Sequence, residues 1–228
     1  MKLTNIILSE KEWNKDLIFK LKDEFQNVNW LLIDAKKDFT LTNLSQYKID
    51  KIFIPHWSYI IPEKIYSAYE CIVFHMTDLP YGRGGSPLQN LIVRGHSETK
   101  ISALRVVKVV DAGPIYLKKK LDLTGTAKEI FSNANEIIEN MISEIISKKI
   151  NPKAQEGEVV KFSRRKPEDG NIEEVEDLEK VYDYIRMLDA DGYPAAFLET
   201  ENLKLEFTKA HFNRDEEIIT AHVRIFKK

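Results

Sequence analysis

The residues best suited to chemistry are His75 and Asp111, each placed directly after an apolar run, CIVF in one case and VVKVV in the other. An imidazole changes charge near neutral pH, and a carboxylate beside it orients the ring and supports the imidazolium. Such a pair can move protons and steady developing charge. His75 opens the segment HMTDLPYGRGG, which is dense in residues that cannot continue a strand. Its glycines, Gly82, Gly84 and Gly85, allow positive φ and close backbone approach to a ligand, although their order is neither GxGxxG nor a P-loop. Asp111 is followed by Ala112, Gly113 and Pro114, which force a turn. Taken singly, either residue reads more readily as a satisfied structural group than as a catalyst. Trp13, Trp30 and Trp57 read as packing residues. His56 and His211 lack zinc spacing and read as structural, and Arg164-Arg165 reads as a solvated pair or as a clamp for a diphosphate. No metal is expected.

For His75 and Asp111 to meet, the fold must bring two strand ends side by side. LTNIIL, NWLLID, KIFIPHW, ECIVFH and ALRVVKVV read as buried strands separated by amphipathic stretches. Ser9 and Glu12 have the S-x-x-E spacing of a capping box, after which Leu17, Ile18, Leu21 and Phe25 share one helical face. Pro62 suits the first turn of a short helix, PEKIYSAY. The β-α-β-α-β order predicts an α/β, Rossmann-like parallel sheet with helices on both faces and ligands at the carboxyl ends of the strands. A second capping box, Thr126 with Glu129, opens a long helix through Ile146 that ends in KKINP. The polar segment 151–158 reads as a boundary. It divides a catalytic domain, 1–150, from a small C-terminal α+β appendage, 151–228, with a helix from Asp177 to Leu188 and antiparallel strands in AAFLET, LKLEFTKAHF and EIITAHVRIF.

Composition narrows the partners. With 34 basic and 36 acidic residues in 228, the formal net charge is only -2, so no global basic field draws nucleic acid or an anionic membrane. Cys71 is the lone cysteine and rules out a disulfide framework. Neither a signal peptide nor an 18-residue apolar run is present. A cytoplasmic protein without nucleic-acid or membrane partners is the expectation, and a homodimer through the C-terminal strands is left open.

Together, the motifs resemble the folate-dependent formyltransferase family. FHMTDLPYGRGGSPLQNLIVRGHSETKIS is similar to that family's histidine, its serine or threonine two residues on, its leucine-proline pair, its arginine-glycine turn and its small-residue-proline step into a helix. VVDAGPI is similar to the family's D-x-G-P-I signature, WSYIIP to a segment lining the folate pocket, and RRKPEDGNIE with GYPAAF to the start of its C-terminal region. The resemblance implies that His75 and Asp111 are catalytic and that N10-formyltetrahydrofolate is the formyl donor. It implies folate contacts at Trp57, Ile60, Ile61, Val107, Lys108, Val109 and Val110. Acceptor contacts fall on Met76, Thr77, Asp78, Tyr81, Gly82, Arg83, Gly84 and Tyr193. One departure stands out: the family's N-x-H asparagine, which helps hold an oxyanion, is Val73 here, and valine donates no hydrogen bond. A protonated His75 or a backbone amide of the glycine turn would have to serve instead.

Near-neutral charge and an end at Lys228 argue against a tRNA acceptor, and SEKEWNKD after strand one lacks the glycines of a phosphate loop. The loop is most similar to sugar N-formyltransferases of the pseudaminic-acid type, which implies a nucleotide-linked 4-amino-4,6-dideoxy sugar, UDP-linked, as acceptor. The other readings are transfer to a carrier-bound aminoacyl group or methionyl-tRNA, and a protein that binds folate or nucleotide sugar without turnover.

Overall fold

The computed structural model describes residues 2–228. The packing expected of Trp13 concerns a side chain outside the described residues. In chain order the strands are β1 (Thr4–Ser9), β2 (Asn29–Ile33), β3 (Ile49–His56), β4 (Glu70–His75), the two-residue β5 (Arg83–Gly84), β6 (Glu98–Arg105), β7 (Ile115–Asp122), the two-residue β8 (Lys161–Phe162), β9 (Ala196–Glu199), β10 (Leu203–Asn213) and β11 (Ile218–Lys227). The helices are α1 (Lys15–Glu24), α2 (Leu41–Leu44), α3 (Glu63–Tyr66), α4 (Pro87–Val93), α5 (Ala127–Lys148) and α6 (Leu178–Arg186).

Two compact units interleave along the chain. One comprises Met1–Gly84, Lys100–Leu121 and Ser132–Lys161, the other Gly85–Thr99, Asp122–Phe131 and Phe162–Lys228. These units differ from a contiguous division at residue 150, because 151–161 packs within the first.

The first unit is built on a six-stranded sheet of order β2-β1-β3-β4-β6-β7. Strands β1, β2, β3 and β4 pair in parallel, as their apolar runs predict. All six residues of β1 are buried, as a strand covered on both faces requires. Ile6, Leu8, Ile52, Ile54, Ile65 and Cys71 form a core cluster on which Trp57, Val73 and Val106 pack. Trp30 is buried between Phe25 and Phe53, with ring centroids at 6.3 and 6.2 Å. Burial pushes the Cys71 thiol up to about 12, an inert group.

Three local expectations need correction. The sheet is mixed, since β6 runs antiparallel to β4, with His75 opposite Ser102 and Ile72 opposite Arg105. The fifth strand is Glu98–Arg105 rather than ALRVVKVV; 108–110 is exposed and finds no ladder to join. Strand β7, YLKKK in its middle, was hidden by three lysines that an edge strand tolerates. At the first helix, Ser9 does not cap Glu12. Its hydroxyl accepts the Lys11 N–H and donates to Asn14, and α1 starts later, burying Leu17, Ile18 and Leu21.

The second unit holds the antiparallel sheet β11-β10-β9 and α6, whose cap Asp177 accepts the Lys180 N–H at 3.0 Å. Thr126 and Glu129 form the expected capping box, with bonds of 2.8 and 3.3 Å. No described helix is long and apolar enough to cross a membrane.

Candidate active site

Strand β4 delivers His75 to the end of the parallel half of the sheet, where it is 7% exposed. Its Nε2 lies 2.8 Å from the Gly82 carbonyl oxygen. A carbonyl only accepts, so Nε2 carries the hydrogen and Nδ1 is the nitrogen left to gain and lose a proton. That nitrogen faces Asp111 Oδ2 at 3.7 Å. The gap is attractive for an imidazolium but too long for a hydrogen bond, so Nδ1 stays available to a third atom.

Asp111 arrives by a different route from the one its apolar prefix predicts. Strand β6 ends at Arg105, and a connection of nine residues leads to β7. Within it Asp111 adopts φ 54°, the left-handed region that aspartate tolerates better than most residues. Gly113 is required: a Cβ there would sit 1.7 Å from the Arg105 carbonyl oxygen. Asp111 Oδ2 accepts the Gly84 N–H at 2.9 Å, so one carboxylate oxygen touches both the histidine and the glycine turn.

The loop between them is pinned from several sides. The Ser102 hydroxyl donates to the Thr77 carbonyl at 2.7 Å and accepts the Leu79 N–H. The N–H groups of Gly82 and Arg83 both donate to the Val160 carbonyl, at 2.9 and 3.0 Å. These bonds, with Gly84 committed to Asp111, occupy the amides that were candidates to replace the family asparagine. A backbone amide of Gly82 or Gly84, one of the two substitutes expected for the family asparagine, is thus already bonded within the loop. Val73 itself pairs with Ile54 and Leu104 and packs on the core cluster.

Of the other expected site residues, Met76 and Thr77 are buried, and the Thr77 hydroxyl points to the Gly82 carbonyl at 3.4 Å. Asp78 is engaged by Lys100 and Lys118. Tyr81 is half-buried, and Arg83 is bound through its guanidinium to Gln155. Tyr193 belongs to the second unit, stacked on Phe131 at 5.3 Å, with its phenol pushed up to about 12 by burial. Trp57 is half-buried and meets Phe39 and Tyr59 edge-on. Ile61 is buried, whereas Ile60, Val109 and Val110 are 74%, 61% and 52% exposed. Lys108 is exposed and Val107 half-buried. The 57–61 and 106–110 segments flank one core cluster through Trp57 and Val106. Among the described residues no group of three or more His, Cys, Asp or Glu is arranged for a metal ion.

Sequence reasoning missed Ser102, Val160 and Gln155. Val160 acts through its backbone, which side-chain motifs do not report, and Gln155 lies in the polar stretch that reads as a linker.

Residues 25–145 match the family model described as formyl transferase, and residues 167–226 match that of the methionyl-tRNA formyltransferase C-terminal domain. The chain is 47% identical to a solved structure of a methionyl-tRNA formyltransferase from Clostridium thermocellum, with 99% of this chain and 100% of that one covered and a TM-score of 0.95. The methionyl-tRNA formyltransferase of Wolbachia pipientis subsp. Culex pipiens is 24% identical over 184 residues, 78% of this chain and 60% of the relative. This chain therefore spans less than two thirds of that relative's length. A sugar N-formyltransferase from Shewanella sp. shares 13% identity over 97% of each chain with a TM-score of 0.67, a likeness of fold alone.

These findings overturn two expectations. The nucleotide-sugar acceptor, with its pseudaminic-acid assignment, yields to the aminoacyl-tRNA reading that had stood as an alternative, because both the C-terminal match and the 47% identical structure carry that description. The exclusion of nucleic acid falls with it. Net charge is a sum over the whole surface and does not report on a local basic run such as Arg164, Arg165 and Lys166.

Proposed function

The chain belongs to the formyl transferase family, and on that basis we propose that it transfers a formyl group from N10-formyltetrahydrofolate to the amino group of methionine carried on transfer RNA. Full-length similarity to the Clostridium thermocellum protein supports the acceptor. The observation that carries the chemistry is the arrangement of His75 Nδ1, Asp111 and Gly84.

The donor supplies a formyl carbon open to attack by an amine. Trp57, Ile60, Val109 and Val110 provide its apolar surface. His75, fixed by the Gly82 carbonyl, offers Nδ1–H toward charge that grows on the formyl oxygen, with the Asp111 carboxylate 3.7 Å from the same nitrogen. Asp111 Oδ2 is held by Gly84, and the carboxylate takes a proton from the attacking amine, directly or through water. Collapse of the tetrahedral carbon breaks its bond to N10, which takes up that proton as tetrahydrofolate leaves.

Incubation with N10-formyltetrahydrofolate and methionyl-tRNA should yield formylmethionyl-tRNA, followed by acid gel or mass spectrometry of the released amino acid. His75→Ala and Asp111→Asn should each lower turnover by roughly 10²- to 10⁴-fold with unchanged circular dichroism. Failure of the intact protein to formylate methionyl-tRNA would remove the acceptor assignment, and near-wild-type rates in both variants would remove the assignment of the pair.

A further inference from the structure

We propose that Gln155 is a positioning residue that locks the Asp111 turn to the loop following His75. The inference rests on the formyl-transfer reading for its kinetic part and on geometry alone for the rest. The Gln155 Nε2 donates to the carbonyl oxygens of Asp111 and Gly113, both at 2.8 Å. Its Oε1 accepts from Arg83 Nε at 3.1 Å and from the terminal guanidinium nitrogen at 2.7 Å. The amide's orientation follows from its partners, because carbonyls only accept and a guanidinium only donates. A planar group with two donors on one side and an acceptor on the other is what this position demands. Glutamate lacks the donors, lysine lacks the acceptor, and asparagine is one methylene short.

The two sides it joins are the two sides of the catalytic pair. Arg83 stands between Gly82, whose carbonyl holds His75 Nε2, and Gly84, whose N–H holds Asp111 Oδ2. Asp111 sits at φ 54°, a conformation that persists only when its surroundings over-determine it. Gln155 bonds to both segments, and it is anchored in turn. Lys153 exchanges two backbone bonds with Ile115, at 2.7 and 2.9 Å, and Val160 receives Gly82 and Arg83. The 153–160 segment is thus a strap across the site rather than a linker.

The test uses the full chain. Gly84 amide hydrogen exchange, read by NMR, reports the Asp111 contact without any acceptor. In Gln155→Met the Gly84 amide should exchange about 10-fold faster or more, while Ile72 and Phe74 in β4 keep their protection. Gln155→Glu keeps an acceptor for Arg83 but loses both donors, so it should expose Gly84 equally. In formylation assays kcat should fall roughly 10- to 100-fold with KM for methionyl-tRNA changed less than about 3-fold. That loss should largely vanish in an Asp111→Asn background, where the residue being positioned is already disabled. Unchanged Gly84 exchange in Gln155→Met would overturn the proposal. So would uniform loss of protection across β4, or a kcat loss fully additive with Asp111→Asn. If the wild-type protein forms no formylated product, the acceptor reading fails while the exchange experiment still decides the role of Gln155.

Discussion

The two halves of the six-stranded sheet deliver the proposed catalytic pair, His75 and Asp111, in different ways. In the parallel half, His75 ends a strand whose register is set by β3 on one side and β6 on the other, and whose residues Cys71, Ile72 and Phe74 are buried. In the antiparallel half, Asp111 hangs from a connection in which Lys108, Val109 and Val110 face solvent and a few hydrogen bonds fix the turn. Packing holds one partner and tethers hold the other. Stability and catalytic geometry are therefore carried by separate sets of residues, and mutations should separate them.

The largest expected effect on stability lies in the parallel half. Phe53 is fully buried and packs against Trp30, and Phe53→Ala should cost about 3–5 kcal/mol, read from the shift in urea midpoint. Its folded fraction should keep most of the wild-type turnover, because Phe53 pairs with Ile7 and Ile72 in the sheet rather than with the loop. Gly113→Ala should reverse the balance. The new Cβ meets the Arg105 carbonyl oxygen, and relieving that overlap should cost about 1–3 kcal/mol while moving Asp111 and lowering kcat by roughly 100-fold. A Gly113→Ala enzyme with wild-type kcat would mean that the Asp111 turn tolerates displacement, and the contrast between the halves would be lost.

The sequence was legible wherever one force dominated. The parallel strands announce themselves as unbroken apolar runs, α5 by its capping box and 3.6-residue spacing, and the C-terminal strands by alternation. His75 and Asp111 could be singled out because strand-end polar residues and a D-x-G-P turn stand apart from their surroundings. The route by which they meet was not legible. VVKVV looks like a strand, and only the competition for ladder partners shows that the chain leaves the sheet at Arg105. The tethers were hidden for a related reason: Gln155 and Ser102 act on backbone atoms far off in sequence, and no local pattern encodes a carbonyl 42 residues away. The acceptor was misread from the likeness of the HMTDLPYGRGG loop to sugar N-formyltransferases and from a whole-chain charge, which averages away any local patch.

The smallest effect belongs to the tether that ties the same loop to the antiparallel strands from outside. Asp78 is bridged by Lys100 on β6 and Lys118 on β7 and is 41% exposed. Burial alone would raise its carboxyl, but hydrogen bonds and charge from the two lysines outweigh that and hold it below the ordinary 3.8. The folded state thus binds this proton more weakly than the unfolded chain. Its contribution is full above the unfolded value and is lost as pH falls through the lower folded one. Solvent screening limits the contribution to about 0.2–1 kcal/mol. Asp78→Asn should therefore be less stable than wild type by that amount at pH 7, the gap should shrink in 1 M salt, and it should close in acid, with kcat little altered. A gap that survives both acid and salt would show that Asp78 holds the loop by shape rather than by charge. The outer tether would then belong with the packed half of the sheet.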